Sequence, residues 1–183
     1  RLLFDNRERE VHIDDEWFYT TRCNARDVLS LAQQLNETAC GSLMDKISLR
    51  LEFHELNAYL MSPLASITSL TSLSLCAKSP AVFEVRSGAF AEMPNLRSLE
   101  ISAYNVVYVH VDAFRGLDGL HRLCLDFKHY EPVKPLISAA TLAHLTSLQT
   151  LSVKIEAAAE ARKSNQEALM SILGAAVTLR TLT

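Results

Sequence analysis

Few residues in this sequence have types and spacings that could do chemistry. His121-Arg122-Leu123-Cys124 brings an imidazole and a thiol into one short segment, a pair that could ligate a metal or form an activated nucleophile. A zinc site needs further ligands, and a nucleophile pair needs a third group to orient the base; the surrounding sequence supplies neither. Glu8, Glu10, Asp14, Asp15 and Glu16 form an acidic run that could do acid/base work or hold Ca²⁺, but no helix-loop-helix ligand loop is written there. A solvated acidic surface accounts for the run more simply. No G-x-G-x-x-G, P-loop, H-E-x-x-H, G-x-S-x-G or paired C-x-x-C occurs, and Gly116-Leu117-Asp118-Gly119 reads as a turn. The expectation is therefore a non-enzyme, with no catalytic, cofactor-binding or metal-ligating residues and no cofactor. One modification signal is written: Asn36-Glu37-Thr38 is a glycosylation sequon if the chain is secreted.

Composition narrows the partners. The chain has 183 residues, 49% apolar, with 18 Lys+Arg against 21 Asp+Glu and a net charge of −3. A chain this long can bury roughly 70% of its unfolded surface, so it needs no metal or disulfide to hold a core. It has no basic surplus for gripping phosphate backbones, which argues against nucleic acid and anionic membranes. The most apolar stretch, Ile172 to Leu179, is cut off by Arg180, far short of the roughly 20 residues of a membrane span. The chain opens at Arg1 with no initiator Met and no apolar signal core, from which a processed or trimmed N-terminus is expected.

The elements that would position any site are set by an internal period. The spacing Φ-x-x-Φ-x-x-L-x-x-L-x-L recurs at Leu64, Ile67, Leu70, Leu73, Leu75 and again at Phe90, Met93, Leu96, Leu99, Ile101. It returns at Phe114, Leu117, Leu120, Leu123, Leu125, at Leu142, Leu145, Leu148, Leu151, Val153, and at Leu173, Ala176, Leu179, Leu182. Successive units start 26, 24, 28 and 31 residues apart, and Met44, Ile47, Leu49 form an earlier rung. In each unit the last two leucines alternate with polar residues, the pattern of a short half-buried strand. A unit that buries its apolar face only against its neighbours stacks into a curved parallel sheet, with the intervening segment returning on the other side of Phe90 and Phe114.

These residues resemble the leucine-rich repeat family. Val82-x-x-Val85-x-x-Gly88-Ala89-Phe90 and Val106-x-x-Val109-x-x-Asp112-Ala113-Phe114 are similar to the typical repeats of animal extracellular receptors such as the Toll-like receptors. The resemblance implies an α/β fold: a leucine-rich-repeat solenoid with a curved parallel sheet, an irregular or helical convex side and an N-terminal cap. It covers residues 44–183, about five to six repeats, with residues 1–43 as the cap. Two departures stand out. The family's Asn three residues after the last strand leucine is replaced by Lys78, Tyr104, Lys128 and Glu156, so irregular corners are expected, with a bulge recruiting Asn105. The long later spacings hold Ser164-Asn165-Gln166-Glu167, a capping box for a helix carrying Ala168, Leu169, Ile172 and Leu173.

Within the cap, Val11-His12-Ile13 reads as a strand, and Asn24-x-x-Asp27 can start a helix with Val28, Leu31, Ala32 and Leu35 on one face. Trp17, Phe18 and Tyr19 read as lid packing or as an exposed edge. The chain stops at Thr183 inside a repeat, from which a longer natural array is expected. The resemblance further implies a Cys23–Cys40 bridge tying the cap to the array, with two buried thiols as the alternative. Cys76 and Cys124 fall two strands apart, about 9 Å or more, beyond the roughly 7 Å that a disulfide spans, and should be free.

What remains is a surface. The positions between the strand leucines place Arg97, Glu100, His121, Arg122, Asp126, Phe127 and Lys154 on the concave face as candidate ligand contacts. Their mixed signs suit a polar protein or glycan ligand. The family resemblance makes the leading expectation a ligand-binding, disulfide-bonded and glycosylated portion of an extracellular receptor of the innate-immunity kind, with dimerisation of the longer protein as its output. The alternative is a cytoplasmic adaptor that presents a protein partner.

Overall fold

The computed structural model describes residues 2–5, 10–13, 30, 32–33, 46–51, 55–56, 58–67, 70–77, 83–104, 106–130, 137–157 and 181–182. Its main sheet has the order β1 (Leu2–Asp5), β2 (Glu10–Ile13), β3 (Lys46–Leu51), β5 (Ser72–Ala77), β7 (Ser98–Tyr104), β9 (Arg122–Tyr130), β10 (Thr150–Ala157), β11 (Thr181–Leu182). All neighbours are parallel except β1 and β2, which form an antiparallel pair. The segments between these strands contain β4 (Glu55–Leu56), β6 (Phe83–Val85) and β8 (Val106–Val109), which form a second, three-stranded parallel sheet. Helices α1 (Ala58–Ala65) and α2 (Ala139–Leu142) also lie in return segments of this α/β fold.

The register follows from the leucines. Leu73, Leu99, Leu123 and Leu151 sit opposite one another on adjacent strands, as do Leu75, Ile101, Leu125 and Val153. Because side chains alternate along a strand, this alignment drives both rows into one interior, and a slip of one residue would expose them all. Leu73, Leu75, Leu99, Ile101, Leu123, Leu125 and Leu151 are buried. The same cluster takes in Val85 and Val109 from the second sheet, and Phe90 and Phe114, whose rings stack with centroids 6.3 Å apart and planes at 18°.

The return segments carry short strands beside the turns and helices that the resemblance implies. β-branched Val85, Val106 and Val109 form short strands there, and His110 extends the ladder by donating its N–H to the Val85 carbonyl at 2.9 Å. Two other return segments carry helices. In α1, Met61 and Leu64 are fully buried, and Pro63 lies within the helix. In α2, Ser138 caps the first turn: its hydroxyl accepts from the Thr141 N–H at 3.2 Å, while its own N–H donates to the Thr141 hydroxyl at 3.3 Å.

The corners without asparagine are handled by running the strands on. Tyr104 and Glu156 both remain in register with Lys128, so the ladder satisfies their backbone groups at the positions where a turn would otherwise begin. The register then shifts between Glu156 and Ala157, which faces Tyr130, and a second shift occurs between Phe83 and Glu84. Asn105 lies outside the described residues, as does the proposed helix that starts near Ser164. In the N-terminal region Glu10–Ile13 is a strand as the alternation at Val11-His12-Ile13 indicates, and Ser30, Ala32 and Gln33 are helical, with Ala32 buried in the common core. Trp17, Phe18, Tyr19, Cys23, Asn36 and Cys40 lie outside the described residues.

Candidate recognition face

The leucine rows of the sheet alternate with polar rows on its other face. Strand register gives three of them across β5, β7, β9 and β10: Ser72, Ser98, Arg122 and Thr150; Ser74, Glu100, Cys124 and Ser152; Cys76, Ser102, Asp126 and Lys154. Just before the strands, one carbonyl in each unit accepts two N–H groups from the next. Thr71 O binds the N–H groups of Arg97 and Ser98, Arg97 O those of His121 and Arg122, and His121 O those of Gln149 and Thr150, all between 2.7 and 3.0 Å. That repeated bond fixes where each polar row begins.

Of the sequence-derived set, Arg97, Glu100, His121, Arg122 and Lys154 are exposed and Asp126 is half-buried. Phe127 must be removed from it. It has the same parity as Leu123 and Leu125, so it faces the interior, where it is 0% exposed in the leucine core. Arg97 is partly committed to the fold: its Nη1 donates to the Gly119 carbonyl at 2.9 Å and to the Pro94 carbonyl at 3.4 Å. A Cβ on Gly119 would collide with that guanidinium. Truncating Arg97 to alanine should therefore cost about 0.5–1.5 kcal/mol. Gly119→Ala should cost a similar amount, and the double variant should cost little more than either alone, as a denaturant double-mutant cycle would read.

The other five are differently placed. Among the described residues the Arg86–Glu84 ion pair at 2.8 Å and the His144–Asp112 contact at 3.1 Å lie off this face. No hydrogen bond or ion pair among the described residues ties down the side chains of Glu100, His121, Arg122, Asp126 and Lys154. Asp126 and Lys154 face each other across β9 and β10, and Arg122 lies one row from Glu100.

His121 precedes β9, whereas Cys124 points outward within it, flanked in register by Glu100 and Ser152. Among the described residues no group of three or more His, Cys, Asp or Glu side chains could hold a metal ion. Cys76 and Cys124 are free thiols, each half-buried, on strands separated by β7. Gly116 and its neighbours form the turn expected of them.

Sequence reasoning passed over one cluster. Asp112 Oδ1 lies 3.1 Å from His144 Nε2, joining the turn after β8 to the segment after α2, and the Asp112 N–H donates to His110 Nδ1 at 3.2 Å. The His110 ring meets Tyr108 edge-on at 6.0 Å, and Tyr108 (45% exposed) and Val111 (38%) are the exposed large apolar side chains among the described residues. Asp112 and His144 are 32 residues apart, a separation that matches none of the repeat spacings, so the period gives no hint of the contact.

No protein-family model matches the chain, and no curated protein does. No helix among the described residues is long and apolar enough to cross a membrane.

Proposed function

We propose that this chain is a leucine-rich-repeat solenoid acting as a non-catalytic recognition module, part of the ligand-binding region of an extracellular receptor similar to the Toll-like receptors. The observation that supports it most is the polar face itself, where charged side chains without an ion-pair partner among the described residues stand on a parallel sheet held in register by buried leucines. A rigid sheet presents such groups at little ordering cost, so a protein or glycan ligand of complementary shape and charge binds without refolding the surface. Glu100, His121, Arg122, Asp126 and Lys154 are the proposed contacts, with Arg97 contributing from its fixed position. In the longer protein, ligand binding would be relayed by dimerisation.

A second reading, a cytoplasmic adaptor holding a protein partner, is favoured by the free thiols of Cys76 and Cys124, which a reducing compartment preserves. Intact mass of protein from a eukaryotic secretion system, alkylated before and after reduction, separates the two. The receptor reading predicts a glycan on Asn36, two cysteines that alkylate only after reduction, Cys23 and Cys40, and two that alkylate at once, Cys76 and Cys124. Four immediately reactive thiols and an unmodified Asn36 would overturn it in favour of the adaptor.

A further inference from the structure

No further inference is drawn: the strongest candidate, the side-chain cluster of His110, Asp112 and His144 beside the exposed Tyr108 and Val111 on the flank between β8 and α2, makes its observed contacts within the fold, and nothing in the structure shows what covers it.

Discussion

Replacing Phe114 with alanine is expected to lower the unfolding free energy by about 3–5 kcal/mol, a large share of the roughly 5–15 kcal/mol typical of a domain. The ring is wholly buried and stacks on Phe90 of the preceding unit, so its removal deletes transfer energy and leaves a cavity that two units share. A unit that depends on its neighbours for burial cannot collapse around such a gap without shifting the next strand. Phe114→Leu should cost far less, about 1–1.5 kcal/mol, because the fourth unit already places Leu142 at the equivalent position. Urea unfolding should show the midpoint falling in the order wild type, Leu, Ala, with an unchanged m-value. Equal midpoints for the leucine and alanine variants would mean that the ring does not fill the shared core.

Gly116→Ala should be nearly as damaging, at about 2–4 kcal/mol, for a reason that burial does not report. Gly116 has φ +89°, and an added Cβ would lie 2.7 Å from the Ala91 carbonyl oxygen and 2.8 Å from the Ala91 Cα. Both atoms are backbone of the neighbouring unit, so relief requires the two turns to separate. Gly88 is the control. Its φ is +63° and its N–H donates to the Asp112 carbonyl at 2.8 Å, but a Cβ there would meet only the Ala91 side chain at 3.7 Å. Gly88→Ala should therefore cost about 1 kcal/mol, the conformational part alone. If thermal or denaturant unfolding ranks Gly88→Ala as the worse of the two, the close approach of the turns at Gly116 is wrong.

The parallel sheet was legible in the sequence because L-x-x-L-x-L dictates both the alternation within a strand and the offset to the next. Leu73, Leu99, Leu123 and Leu151 are in register as their spacing requires. Phe127 was misread for a reason within the same rule. β9 runs to Tyr130, so the alternation of Leu123 and Leu125 continues past the repeat motif and carries Phe127 inward. Helix α1 was hidden by Pro63, whose missing N–H argues against a helix interior, although Met61 and Leu64 bury its inner face. The second sheet was not expected from the sequence, although Val85 and Val109 recur at matched positions of their units; pairing between return segments depends on how closely the units stack, which no single segment encodes. The polar face could be placed residue by residue, but which of its charges were already spoken for could not. The bond from Arg97 to Gly119 joins residues in different units, and only the folded geometry brings them together.

Recognition is proposed to occur on the polar face of β7, β9 and β10. The direct measurement is the affinity of the purified protein for a partner it captures, compared between wild type, an Arg122→Glu/Lys154→Glu double variant and Arg115→Glu, a charge reversal at an exposed turn position. All three should unfold at similar denaturant concentrations, since none of these side chains is buried. The account predicts at least a tenfold loss of affinity, about 1.4 kcal/mol, for the double variant and no change for Arg115→Glu. Undiminished binding by the folded double variant would contradict it and would place recognition elsewhere on the molecule.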